Sequence, residues 1–348
     1  MKNPRTWIGL AISAGCIIWA FWDVNLADLG NTLLHANYLV VVPIMFFSVA
    51  ILYVRALRWK RLVDPIKLVS AGQLFLATGV GFAINNLLPV RLGEFARAYA
   101  LAKKQEMPFS TTLATVVLDR LWDFIGLLVL VVPSLAIFEF PEFQSVLGIS
   151  RAQIVVPIAV ATAGLIAMIS LMRARPELFV SLVRRAIRPI SEKLADRAAR
   201  TMTAFIQGLG RTDAAPDSSR SFSKRTTNLA ALVALSLLVW VCNIFFHWSV
   251  VASYGVYLSV SRVLLLAIVI VLALSIPSSP GYIGTYHLAV KKVLEAFGYP
   301  PDLALAAAII MHLASYVPET LFGLYALWKM KLTMSDLRGA KAEESTEG

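Results

Sequence analysis

The chain has 348 residues, 58% hydrophobic and only 15% charged, with a mean hydropathy of +0.72. Soluble domains carry about 25% charged residues, so a soluble globule of this length would lack the polar side chains to cover itself; disorder, collagen and a coiled coil fall to the same figures. The net charge of +11 reads as cations gathered at the ends of membrane spans, not as a nucleic-acid surface, because the basic residues flank apolar runs.

Those runs lie, in chain order, at residues 7–22, 38–54, 72–88, 112–138, 152–172, 229–251, 263–277 and 303–328. They are continuous rather than alternating, which excludes a transmembrane β-barrel. Helices satisfy their own backbone in lipid, so the expected fold is an all-α integral membrane protein, a polytopic helix bundle. Lys2 and Arg5 precede the first run, which continues past Trp22 into Asp23-Val24-Asn25 without a small-residue cleavage pattern. This predicts an uncleaved signal-anchor. Cys16 and Cys242 each fall inside an apolar run, which supports neither a disulfide framework nor a zinc site; no metal and no cofactor is expected.

Charge asymmetry selects the topology. If all eight runs crossed, the basic stretch 173–225 and Arg91, Arg97, Lys103 and Lys104 would lie outside, against the positive-inside rule. If 72–88 and 263–277 instead enter partway and return, the outer side keeps Arg151, Arg262, Lys291 and Lys292, and nearly all other cations lie inside. The expectation is six full spans plus two re-entrant helical hairpins entering from opposite sides, with both termini cytoplasmic. The first hairpin breaks at Asn85-Asn86-Leu87-Leu88-Pro89, the second at Ser275-Ile276-Pro277-Ser278-Ser279-Pro280-Gly281; Pro and Gly end helices.

After each break a P-x-x-[LI]-G-x-[FY] pattern recurs, first at Pro89–Phe95 and then at Pro280–Tyr286. A long helix bearing polar residues follows both. An inverted repeat with broken helices predicts a site near the repeat interface. The boundaries are a first membrane half at 1–172 with re-entrant 72–104, a cytoplasmic linker at 173–228, a second membrane half at 229–331 with re-entrant 263–297, and a polar tail at 332–348. In the linker, Leu178, Phe179, Leu182, Val183 and Ala186 recur at helical spacing, with Arg184, Arg185 and Arg188 between them. That pattern predicts a basic amphipathic helix on the inner leaflet.

Three polar clusters carry the candidate chemistry. Arg91, Glu94 and Arg97 follow the first break at spacings of three. Guanidinium groups bind phosphate bidentately, and a helix start at Gly93 would add its positive end; this reads as a lipid-phosphate seat with Glu94 as counter-ion. Asp119, Arg120 and Asp123 lie inside an apolar run, where ionisable groups face a cavity or a partner. Their net charge of −1 calls for an outside cation such as Arg91 or Arg97. His312, Ser315, Tyr316 and Glu319 occupy one helix face, with Pro318 bending the helix; His and Glu are suited to relaying protons. Asn85 and Asn86 at the first break, and Tyr282, Tyr286 and His287 after the second, complete the candidate lipid-contacting set. His247 has no evident partner. P-loop, G-x-G-x-x-G, H-E-x-x-H and G-x-S-x-G motifs are absent, so no catalytic residue is assigned and an enzyme is not expected.

The stretches Asn86-Leu87-Leu88-Pro89-Val90-Arg91-Leu92-Gly93-Glu94, Leu118-Asp119-Arg120-Leu121-Trp122-Asp123 and Pro280-Gly281-Tyr282-Ile283-Gly284 resemble the transmembrane domain of lysylphosphatidylglycerol synthases, a family also described as flippase-like. The resemblance covers roughly residues 7–331. It implies a multi-pass protein of the bacterial or archaeal inner membrane that translocates lipid. In full-length synthases a soluble aminoacyl-transferase domain follows this part; without it, aminoacylation of phosphatidylglycerol is not expected. At the position before the helix arginine, where the family commonly has an acidic residue or Glu, this chain has Asp119; the departure is Pro280-Gly281-Tyr282 in place of the frequent Pro-Gly-Gly.

The function expected from the sequence is a flippase for a phosphate-bearing lipid or lipid-linked intermediate in envelope biogenesis. The alternatives are a non-transporting accessory subunit that binds lipid or an envelope-synthesis enzyme, and a proton-coupled small-solute exchanger. Expected partners are anionic or phosphate-bearing membrane lipids, an envelope glycosyltransferase and a second copy of the chain, with no nucleic acid.

Overall fold

The computed structural model describes residues 4–88, 92–137, 174–188, 218–276 and 278–333, with scattered positions between 156 and 206. All described elements are helical. They are α1 (Pro4–Phe21), α2 (Leu26–Leu34), α3 (Tyr38–Val63), α4 (Ala71–Leu87), α5 (Gly93–Gln105), α6 (Phe109–Ile137), α7 (Pro176–Ile187), α8 (Ser218–Ala252), α9 (Val260–Ser275), α10 (Thr285–Ala296) and α11 (Pro301–Lys329), with a 3-10 turn at Pro280–Tyr282. Much of the expected run at 152–172 and of the linker, and the tail beyond 333, lie outside the described residues.

Residues Tyr38–Val63, Leu229–Ala252 and Pro301–Lys329 are each long and apolar enough to cross a membrane. A fourth crossing is available if α1 and α2 form one broken span, since the chain bends by 88° between them. The bend has a local cause. The side chain of Asn25 caps α2 by accepting a hydrogen bond from the N–H of Ala27 at 2.9 Å, and an N-cap residue leaves helical geometry. The sequence reading had not separated α2 from α1. Helix α6 has 29 residues, about 43 Å at 1.5 Å per residue, with Asp119, Arg120 and Asp123 gathered in little more than one turn.

Four further helices are shorter. Helices α4 and α5 have 17 and 13 residues, and α9 and α10 have 16 and 12. None reaches the roughly 30 Å of a bilayer's hydrocarbon core. Each pair is flanked by long helices, so the order long, short, short, long occurs over α3–α6 and again over α8–α11. The glycine shared by the two sequence motifs marks the same local event in both: Gly93 is the first residue of α5, and Gly284 immediately precedes α10.

Close approach of small residues holds these helices together, as expected where lipid removes the hydrophobic drive for helices to associate. Helix α11 packs against α4, α10, α3 and α2. A methyl group on Gly323 would run into the backbone carbonyl of Gly79, so α4 and α11 cross in direct backbone contact. One apolar cluster gathers Trp59, Leu74, Val80, Leu101, Val116 and Leu327; a second gathers Trp240, Leu266, Val290, Leu294, Ala308 and Met311. Side chains of α7 such as Leu178 and Leu182 are exposed beside exposed Arg184 and Arg185.

Candidate functional site

The first break is closed by its own asparagines. Helix α5 starts without a capping side chain from the residue before it. Instead Gly93 N–H donates to Asn85 Oδ1 across the break at 2.7 Å. Asn85 Nδ2 in turn lies 3.4 Å from Glu94 Oε2. Asn86 Nδ2 donates to Thr320 Oγ1 on α11 at 2.9 Å, and its backbone carbonyl accepts from the Tyr316 hydroxyl at 3.3 Å. Both asparagines thus hold backbone and helix positions as well as bordering the cavity described below.

Behind this break runs a ladder of ion pairs. Arg58 Nε donates to Asp119 Oδ1 at 2.8 Å, and Arg97 Nη2 donates to Asp119 Oδ2, also at 2.8 Å. Arg58 reaches on to Asp123 Oδ1 at 3.1 Å, and Arg55 holds Asp123 Oδ2 at 2.6 Å. Arg120 lies 3.2 Å from Glu94 and 3.5 Å from Asp123. The side chains of Arg58, Arg97 and Asp119 are at most 1% exposed. The guanidinium of Arg97 also lies over the Trp59 ring, 4.8 Å from its centroid. Ridges from α3, α5 and α6 are therefore locked by charge.

Arg55, Arg120, Asp123 and Glu94 form one wall of a cavity of about 450 Å³. The opposite wall comes from α8 and α11: Trp240, Asn243 and His247, then His312, Ser315, Tyr316 and Glu319. Asn85, Asn86, Tyr282 and Tyr286 also line it. Trp240 ties the walls together by donating from Nε1 to the carbonyl of Asp123 at 2.7 Å. Tyr286 stacks on His312 at 4.9 Å between ring centroids, and His312 Nδ1 lies 3.3 Å from His287 Nε2. The second break meets this wall through Gly281, whose φ of +68° suits glycine. A side chain there would also strike the Tyr316 ring at 2.6 Å. Tyr282, which follows, takes a left-handed φ of +58°.

The candidate residues are thus distributed unevenly. Glu94, Arg120, Asp123, Asn85, Asn86, Tyr282, Tyr286, His312, Tyr316 and Glu319 meet at one cavity. Arg97 and Asp119 do not line it; their charges are taken up by each other and by Arg58. This corrects the reading of Arg97 as an open phosphate seat, because a guanidinium sealed between Asp119 and Trp59 has no free face to offer. His287 is not in the lining; it touches the lining residues His312 and Tyr286 and accepts a hydrogen bond from the N–H of Gly284 at 3.3 Å. Arg91 lies outside the described residues. Sequence reasoning offered Arg91 or Arg97 and did not single out Arg55 and Arg58, yet these two are partners of Asp119 and Asp123. Their i, i+3 spacing at the end of an apolar run, against Asp119 and Asp123 at i, i+4, is the signal that pairs them. His247, without an evident partner in the sequence, has a place on the cavity wall.

A helical membrane protein with broken helices around a charged internal cavity is the class that fold and site define. The Lysylphosphatidylglycerol synthase TM region family matches residues 6–323, and the chain belongs to it. It is similar to the UPF0104 membrane protein MJ1595 of Methanocaldococcus jannaschii, 23% identical over 97% of this chain and 99% of the relative. Two UPF0104 membrane proteins of Methanothermobacter thermautotrophicus are 25% and 24% identical, over 86% and 83% of this chain and 88% and 82% of theirs.

Proposed function

We propose that this protein translocates a lipid with an anionic, phosphate-bearing headgroup across the inner membrane. The observation that carries the reading is the cavity that opens between the two breaks, with Arg55 and Arg120 lining one wall and stacked aromatic and polar groups the other. Its volume suits a headgroup; small-ligand sites span about 300–1,000 Å³. Guanidinium groups are the side chains best matched to a phosphate, and those of Arg55 and Arg120 are 11% and 33% exposed. A phosphate would displace part of their bonding to Asp123 and Glu94, while the sealed Arg58–Asp119–Arg97 ladder keeps the wall in position.

The topology proposed with this function is six spans and two re-entrant pairs, α4–α5 and α9–α10, entering from opposite sides, with cytoplasmic termini. The short lengths of these four helices support it, as does the repeated long, short, short, long order. Transporters with inverted repeats bind substrate between broken helices. In this reading the protein acts as a carrier that passes its lipid between leaflets.

The test is reconstitution into phosphatidylcholine vesicles carrying a tail-labelled lipid, with a membrane-impermeant quencher reporting the outer leaflet. Labelled phosphatidylglycerol is expected to exchange leaflets in proteoliposomes and not in empty vesicles. Arg55→Gln with Arg120→Gln is expected to slow this at least about tenfold, the loss of one charged hydrogen bond of about 1.5–3 kcal/mol. Equal rates in wild type and double variant would remove the arginine wall from the mechanism.

A further inference from the structure

One carboxylate on the cavity differs from the rest. Glu94, Asp119 and Asp123 each lie within ion-pair distance of a guanidinium. Glu319 makes no hydrogen bond or ion pair with any described residue. A charge held at membrane depth without a partner is costly, and such residues commonly mark ion or proton pathways.

The groups facing Glu319 come from every wall. Its own helix contributes His312 and Tyr316, α10 contributes Tyr286, the 3-10 turn Tyr282, and α8 His247. His287 joins through His312. From α3, Arg55 interacts with the carboxylate electrostatically, while Asp123 and Arg120 on α6 and Glu94 on α5 complete the charged lining. Among the described residues, the guanidiniums of Arg55, Arg58, Arg97 and Arg120 outnumber the carboxylates of Glu94, Asp119 and Asp123 by one. An ionised Glu319 cancels that positive charge. A protonated Glu319 leaves it for a ligand, and Arg55, bonded to Asp123, is the cation that also acts on Glu319.

We infer that Glu319 is a proton-binding site coupled to the anionic headgroup, so that one proton and one lipid occupy the cavity together and cross together. The inference rests on the lipid-translocating function proposed above and names its energy source. The coupling follows from charge: an anion in the cavity repels an ionised Glu319, and a proton on Glu319 removes that repulsion. Linkage makes the effect reciprocal. A lipid bearing one negative charge and one proton cross as a neutral pair, so the pH difference drives the step and the membrane potential does not. Pro318, immediately before Glu319, lacks the N–H that would bond the carbonyl of Ala314, so α11 is short of one backbone hydrogen bond beside the proton site.

The experiment uses the same vesicles with labelled phosphatidylglycerol, now with an imposed pH difference and empty vesicles as the baseline. In wild type, one pH unit is expected to accumulate the lipid about tenfold in the leaflet facing the alkaline side, the proton ratio itself. A potassium diffusion potential at equal pH is expected to give no accumulation. In Glu319→Gln the pH-driven accumulation is expected to vanish. A second measurement needs no variant: wild-type protein in weakly buffered detergent should take up about one proton per bound lipid when phosphatidylglycerol is added. Lipid that equilibrates between leaflets regardless of pH overturns the proton site and leaves the translocator standing. Accumulation driven by a sodium gradient at equal pH overturns the proton as the ion. No lipid movement under any condition overturns both readings.

Discussion

Replacing Asp119 with alanine should be among the most destabilising changes to the described fold. Asp119 accepts from Arg58 and from Arg97, both at 2.8 Å, and all three side chains are sealed. Arg58 keeps Asp123 at 3.1 Å. Arg97 keeps only a weak 3.4 Å bond to the carbonyl of Val116 and its contact with Trp59. Removing one partner of a buried pair leaves an uncompensated charge and costs about 3–5 kcal/mol, whereas replacing both by apolar groups is often neutral. Asp119→Ala is therefore expected to lose about 3–5 kcal/mol, and Asp119→Leu combined with Arg97→Met to recover most of it. Reversible unfolding of purified protein in mixed micelles, titrated with denaturing detergent, measures both. A loss below about 1 kcal/mol in the single variant, or a double variant no better than the single, would refute the ladder as a sealed charge network. The same reasoning makes loss of transport in Arg97 variants a consequence of lost packing rather than of a lost lipid contact.

Three further outcomes are expected. Gly323→Leu should destabilise the protein by at least about 1–3 kcal/mol through overpacking, because its side chain meets the Gly79 carbonyl and Ala83; the same unfolding titration reads it, and an unchanged midpoint would mean α4 and α11 do not cross there. Asn85→Ala should cost about 1 kcal/mol through the lost cap on α5; an unchanged midpoint would remove the cross-break cap. Cysteines at Lys104 and at Lys292 should be labelled from the cytoplasmic and the outer side respectively by an impermeant maleimide. Lys292 is half-exposed, whereas the adjacent Lys291 is sealed against Asp23 and Glu295; labelling of both sites from one side would refute the paired re-entrant topology.

The composition dictated a membrane protein, and the unbroken apolar runs dictated helices rather than the alternating strands of a barrel. The breaks were legible too, because Asn, Pro and Gly interrupt apolar runs at Asn85–Pro89 and Pro280–Gly281, and both lie where short helices meet. Helical spacing put His312, Tyr316 and Glu319 on one face, and that face does line the cavity. What the sequence could not decide was who pairs with whom. Asp119 and Asp123 needed cations, but Arg55, Arg58, Arg91 and Arg97 all stand at the ends of apolar stretches, where snorkelling to the headgroups satisfies an arginine equally well. Only the crossing of α3 over α6, 61 residues apart in chain at Arg58 and Asp119, turns two interfacial arginines inward. Spacing along one helix fixes a face; the choice of partner depends on helix crossings that small residues such as Gly79 and Gly323 permit, and those exist only once the bundle has closed.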